Sequence, residues 1–176
     1  MIREAPRIET DRLVLRSWRK DDFRPWLEIM REPAVHRHFG PEPSKAEDVW
    51  RRLSAAVGGW QFNGFGSWGV ERKSDGKLIG NAGIFTAWRD LDPEFGEEPE
   101  MGWIFATETH GQGLAAEACR TVLDWAERTL DPTPIWAIIA PANEPSIRLA
   151  ERLGFERLGE TPYNNEPTLV LKRPAW

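Results

Sequence analysis

The chain is predicted to fold as one mixed α/β domain, and three observations carry that prediction. Short apolar or alternating runs, the mark of strands, occur near the start, in the middle and at the end of the chain. Between them, Phe23, Trp26, Leu27 and Met30, and later Ala115, Ala118, Cys119, Val122 and Ala126, recur at helical spacing. Finally, 176 residues leave room for one core, because domains most often run to roughly 100–150 residues.

The elements follow in order. Leu13 to Trp18 alternates apolar and polar residues and reads as a half-buried strand. Asp21-Asp22 offers an N-cap to a first helix, with Pro25 tolerated in its first turn. Ser44 and Glu47 have capping-box spacing and open a second helix through Val49, Trp50, Leu53 and Val57, which Gly58-Gly59 is expected to close. From Trp68 to Phe85 two strand patterns flank Lys73 to Lys77, where Asp75-Gly76 marks a hairpin turn. A further strand, Glu100 to Phe105, follows the acidic loop Asp90 to Glu98. A glycine-containing turn, His110 to Gly113, then leads into the Ala115 helix. Thr133 to Ala140 is a continuous apolar strand, Asn143 caps a helix that stops at Gly154, and strands Phe155 to Gly159 and Thr168 to Lys172 finish the chain. The strand, helix, strand unit from Glu100 to Ala140 needs a crossover, so its two strands are expected to be parallel neighbours.

Composition excludes several functions. Hydrophobic residues at 40% and charged residues at 29% lie outside the disordered regime. The longest apolar run, Ile135 to Ala140, falls far short of the about 20 residues of a membrane span. A net charge of -5 lacks the basic excess of nucleic-acid binding. Met1 to Glu4 has no apolar h-region, so no secretory signal is expected; the single Cys119 fits a reducing, cytoplasmic setting. His36 and His38 have no partners at metal-ligand spacing and are expected at the surface, so no metal site is expected. Most of the ten tryptophans are expected to fill the core.

The strongest chemical signal is the turn His110-Gly111-Gln112-Gly113-Leu114-Ala115 between a strand and a helix. Two glycines there let backbone N–H groups face outward at a helix N-terminus, which forms a phosphate cradle. No Lys-Ser/Thr pair follows, so it is not the phosphate loop of nucleotide hydrolases.

With Thr10 to Arg16, Trp68 to Glu71, Leu78 to Gly80, Glu100 to Phe105, Gly111 to Glu117, Asn143-x-x-Ser146 and Glu151 to Phe155 in this order, the sequence resembles the GNAT family of N-acetyltransferases, specifically the branch that acetylates N-termini of ribosomal proteins. The resemblance implies a mixed, mostly antiparallel seven-stranded sheet flanked by about four helices, with a splayed parallel pair formed by the strand ending near Phe105 and the strand from Thr133 to Ala140. It implies acetyl-coenzyme A as donor, with the amides of Gln112, Gly113, Leu114, Ala115 and Ala116 on its diphosphate beside Gly111. His110 stands where the family has Arg or Gln. Backbone groups of Ile104 and Phe105 would pair with the pantetheine arm and Asn143 would bond it from the other side. Glu100 matches a position often assigned to the base, the alternative being an ion-paired carboxylate. Ser146 matches a proposed proton donor to the thiolate, the alternative being a first-turn serine bonded to backbone.

The implied acceptor is an amine: a protein N-terminus, a polyamine, an aminoglycoside or a modified amino acid. Trp26, Trp50 and Tyr163 are the pocket-lining candidates, and the acidic stretch Asp90 to Glu98 could attract a cationic acceptor. No stripe specifies a partner chain, and a homodimer is left open. The rival reading is a non-catalytic acyl-coenzyme A binding or sensing module.

Overall fold

The structure is a computed structural model that describes residues 3–176. Its eight strands form one sheet in the order β1-β2-β3-β4-β5-β6-β8-β7. They are β1 (Ile8–Glu9), β2 (Leu13–Arg16), β3 (Ser67–Arg72), β4 (Leu78–Phe85), β5 (Glu100–Phe105), β6 (Ile135–Ile139), β7 (Glu156–Tyr163) and β8 (Glu166–Arg173). Every pairing is antiparallel except β5 with β6. The helices are α1 (Phe23–Arg31), α2 (Pro33–His36), α3 (Ala46–Asn63), α4 (Leu114–Thr129) and α5 (Glu144–Arg152). The mixed sheet with one parallel pair is the predicted fold; β1 and the one-turn α2 are additions too short for periodicity to reveal.

Three local expectations are corrected. The Ser44–Glu47 capping box does not form: Lys45 is the N-cap, Ser44 stands one residue too early, and Glu47 pairs with Arg51. Gly58-Gly59 does not end α3, which continues to a left-handed Gly64 (φ 74°). An interior glycine costs a helix only about 1 kcal/mol, and continuing the helix seats Trp60 in the core. The last two strands, expected to end at Gly159 and to begin at Thr168, run on into one hairpin: Asn164 and Asn165 (φ 51° and 64°) make its two-residue turn and place Tyr163 at the end of β7.

Two main clusters cover the sheet. Trp60, Trp68 and Trp125 meet edge-on at centroid separations of 4.6, 5.1 and 5.4 Å, in the cluster that α4 covers. Such edge contacts add about 0.5–1.5 kcal/mol each beyond area burial. The other cluster sets Trp18, Trp26, Leu27 and Met30 against Val49 and Leu53 of α3. Six tryptophans are buried (18, 26, 60, 68, 125 and 136), as expected of core residues.

Cys119 is fully buried on the core face of α4, and burial pushes its thiol well above the usual range. A thiol reagent is therefore expected to leave native protein unlabelled and to label it only on denaturation, as followed by absorbance. Fast labelling of native protein would contradict this packing.

Candidate active site

The site begins where the sheet comes apart. β5 and β6 share one register pair, Glu100 with Trp136, and diverge beyond it. Ala106 N–H donates to the Ile79 carbonyl of β4 (2.9 Å) and Trp136 N–H to the Pro99 carbonyl (2.8 Å). Peptide groups two residues apart along a strand turn to the same neighbour. Those of Gly102 and Ile104 therefore face β4, while those of Trp103 and Phe105 face the opened gap. The expectation for Ile104 is corrected accordingly: its backbone is bonded within the sheet. The carbonyl of Phe105 accepts from His110 Nε2 (3.0 Å), so His110 is turned inward to brace the strand end. The Trp103 N–H and C=O and the Phe105 N–H remain open.

Beyond β5, Gly111 and Gly113 both take φ 75°, left-handed values that favour glycine. Alternating left-handed and ordinary residues make a concave nest of amides, and Gly113 is also the N-cap of α4. Among the described residues, none of the six amides from 111 to 116 donates to a protein acceptor. Arg12 fixes the nest from β2: its guanidinium donates to the Gln112 carbonyl (2.8 Å) and pairs with Glu117 (2.6 Å). Glu117 also accepts from Thr10 Oγ1 (2.6 Å). Burial pushes the Glu117 carboxyl up, but bonds from Thr10 and Arg12 hold it net below its usual value. The Thr10 to Arg12 segment is thus a brace for the cradle. Six free amides, a helix N-terminus and nearby Arg12 fit a diphosphate.

Across the gap, Asn143 caps α5, its Oδ1 accepting from Ser146 N–H (3.4 Å). Ser146 and Asn143 both lie on the wall of a cleft of about 1000 Å³ with Ile138, Ile139, Trp103 and Ile104. The Ser146 hydroxyl makes no hydrogen bond to the described residues and is free to act on a ligand.

Glu100 is the residue whose setting departs most from a free base. Its side chain is only 4% exposed, and both oxygens accept from Arg89: Oε2 from Nε at 2.7 Å, Oε1 from Nη2 at 2.8 Å. Arg89 Nη1 also donates to Tyr163 Oη (3.1 Å). Of the two readings weighed for Glu100, the geometry is that of the ion-paired carboxylate, since both of its oxygens are taken by one guanidinium. Trp88, directly before Arg89, has φ 47°, a conformation uncommon for a bulky residue.

Trp26 and Tyr163 lie on the cleft wall. Trp50 does not: it is half-exposed and packs edge-on against Phe23 at 5.2 Å. The face of α3 turned to the cleft runs Arg52, Leu53, Ala55, Ala56, Gly59, Asn63, and Trp50 lies about 200° around the helix from Arg52. His36 and His38 are on the cleft wall rather than the outer surface. Among the described residues no group of three His, Cys, Asp or Glu could hold a metal ion. The acidic residues Asp90, Asp92, Glu94, Glu97 and Glu98 are all absent from the cleft wall; Glu98 instead binds Trp136 Nε1 and Lys172. Arg52, Arg89 and Asn81 are wall residues that sequence reasoning missed. Three buried polar atoms of the wall have no partner among the described residues: Asn81 Oδ1, Trp18 Nε1 and His36 Nδ1. Unpaired buried polar atoms are costly, so they point to a ligand's polar groups.

Comparison with known proteins agrees with this geometry. The family model described as the acetyltransferase (GNAT) domain matches residues 12–156. YoaA of Bacillus subtilis, called an uncharacterized N-acetyltransferase, is 25% identical over 177 residues, covering 95% of this chain and 97% of YoaA. A putative GNAT-family acetyltransferase from Bordetella pertussis superposes with a TM-score of 0.83 at 31% identity, covering 96% of this chain and 99% of that one. The aminoglycoside acetyltransferase AAC(6')-Ib, crystallised in complex with coenzyme A, shares the fold at 20% identity, with a TM-score of 0.72 over 92% of this chain and 94% of its own.

Proposed function

We propose, because this chain belongs to the GNAT acetyltransferase family, that its acetyl-coenzyme A dependent activity delivers the acetyl group to a primary amine by direct attack on the thioester. The observation that carries this reading is the gap between β5 and β6, which opens beside six amides without protein acceptors. An extended pantetheine arm can bond the free edge of β5 at Trp103 and Phe105 as an added strand, while the diphosphate takes the amides of 111 to 116. Asn143 supports the arm from the α5 side.

In the transfer, the amine nitrogen bonds to the carbonyl carbon of the thioester and the carbon–sulfur bond breaks. The nitrogen gives up a proton to water, and the thiolate takes one from the Ser146 hydroxyl, which is reprotonated by solvent. Developing charge on the carbonyl oxygen is met by a β5 peptide N–H facing the gap. An α-amine, with a pKa near 8, is partly neutral at pH 7 and needs less help from a base than a lysine near 10.4. Accordingly Glu100, held by Arg89, acts by fixing Arg89 and Tyr163 on the acceptor side; a proton reaching it would have to travel through water. A protein N-terminus, as in the ribosomal-protein branch, or a small-molecule amine is the acceptor.

The test is thiol release from acetyl-coenzyme A, scored together with mass-spectrometric detection of the acetylated amine, against N-terminal peptides, amino acids, polyamines and aminoglycosides. Turnover is expected with at least one amine class, and Ser146→Ala is expected to lower kcat by about 10²-fold or more with acetyl-coenzyme A affinity retained. Binding of the donor without transfer to any amine would overturn the direct-attack reading.

A further inference from the structure

Arg52 is the charged head of the cleft-facing stripe of α3, which is otherwise Leu53, Ala55, Ala56, Gly59 and Asn63. Its guanidinium lies over the Phe39 ring, 5.3 Å from the centroid. Stacking on a ring holds the planar group while leaving its N–H edges free. Among the described residues it makes no salt bridge and no hydrogen bond. The nearest acidic influence is Asp48 on the same helix, and Asp48 already accepts from Arg51 at 2.8 Å. The other charge bearing on Arg52 is that of Arg89, whose own partner is Glu100. Partial desolvation first, and the like charge of Arg89 second, pull the Arg52 pKa down, as expected of a cation that lacks a counter-charge. Glu166, the remaining carboxylate on the wall, does not figure among the groups acting on Arg52.

Among the described residues the cleft therefore carries two arginines without a carboxylate partner, Arg52 and Arg37, the latter donating from Nε to His38 Nε2 (3.3 Å), and a polycationic acceptor would be repelled there. The surroundings are apolar and aromatic, with Trp18, Trp26, Phe39, Phe85 and Tyr163 on the wall. A second, separate observation is the buried unpaired Asn81 Oδ1 on the same wall; its amide nitrogen donates to Ser67 Oγ (3.0 Å), which leaves the oxygen to accept from a ligand N–H. An acceptor for N–H and a free guanidinium in one cleft are complementary to a molecule with an amine and an acid.

We propose that the acetyl acceptor is a small amine that also bears a carboxylate, such as an amino acid, with the carboxylate held by Arg52. This rests on the acetyltransferase reading above and narrows it from amines in general to amino acids. A guanidinium fork matches a carboxylate in plane and gives charge-assisted bonds, so the carboxylate acts as a specificity group remote from the reacting nitrogen.

The test compares matched acceptors on the full chain: the common L-amino acids against their amides, with spermidine and an aminoglycoside as cationic acceptors. The free acid is expected to exceed its amide by at least about tenfold in kcat/KM. Arg52→Gln is expected to erase that ratio by lowering kcat/KM for the acid, and Arg52→Lys to restore part of it. Arg128→Gln, the same charge change on exposed α4, is expected to keep the ratio, and thermal melting checks that each variant is folded. Equal use of acid and amide, a preference for the polycations, or an unchanged ratio in Arg52→Gln overturns the proposal while leaving acetyl transfer standing. Failure to bind acetyl-coenzyme A, or to acetylate any amine, overturns the underlying reading as well, and isothermal titration of the donor separates the two cases.

Discussion

Replacing Gly111 and Gly113 together with alanine should weaken acetyl-coenzyme A binding by about 100-fold. Each residue stands at φ 75°, where a Cβ costs roughly 1–2 kcal/mol, and each sits in an exposed turn that can relax when nothing is bound. Relaxation turns the amides of 111 to 116 out of register, so the strain of both positions is met again whenever the diphosphate binds. The sum, about 2–4 kcal/mol, brackets 100-fold at 1.4 kcal/mol per decade. Space is not the issue, because a Cβ at Gly111 would meet nothing within 4 Å and one at Gly113 only Arg12 Nη2 at 3.6 Å. Titration calorimetry reads the affinity and thermal melting the fold. Unchanged affinity in a folded double variant would show that the nest does not hold the donor.

Arg89→Ala should be the most destabilising single change at the site, with a loss of about 3 kcal/mol at pH 7. It leaves Glu100, 4% exposed, as a buried carboxylate without its counter-charge, and breaking a buried pair from one side costs about 3–5 kcal/mol; the lower end is apt because water can enter the vacated cleft. Protonation would remove the stranded charge, so the penalty is full near neutral pH and shrinks on acidification. Denaturant unfolding at pH 7 and pH 5 should show the gap between variant and parent closing on acidification. Adding Glu100→Gln should restore stability at pH 7, because the stranded charge is gone. A pH-independent loss, or no rescue by the double change, would mean that Arg89 contributes packing rather than charge.

What was legible in the sequence was local. The hairpin at Asp75-Gly76, the crossover between β5 and β6, the Asn143 cap and the double-glycine turn each depend on residues within one turn or one element, and local pattern reports them. Arg89 was not legible because it lies in the irregular segment between β4 and β5, where no periodicity predicts that its side chain will fold back onto Glu100. Arg52 was missed for another reason: in α3 the apolar residues lead the eye to the face of Val49 and Leu53, and of these two only Leu53 borders the cleft, which is otherwise met by Arg52, Asn63 and the small residues 55, 56 and 59. Trp50 was chosen for its type, and helical phase puts it on the wrong side. The acidic loop suggested a cationic acceptor only because its position in three dimensions was unknown. That loop lies off the cleft wall, where the arginines without a carboxylate partner among the described residues are Arg37 and Arg52.

The most direct test of the central claim is a single-turnover reaction of the intact chain with acetyl-coenzyme A and an amino acid acceptor, following free thiol and acetylated amine in the same sample. Stoichiometric appearance of both, slowed in the Gly111/Gly113 variant until the donor concentration is raised about 100-fold, is the result predicted here. Donor binding without acetylated amine, or turnover indifferent to the two glycines, would contradict it.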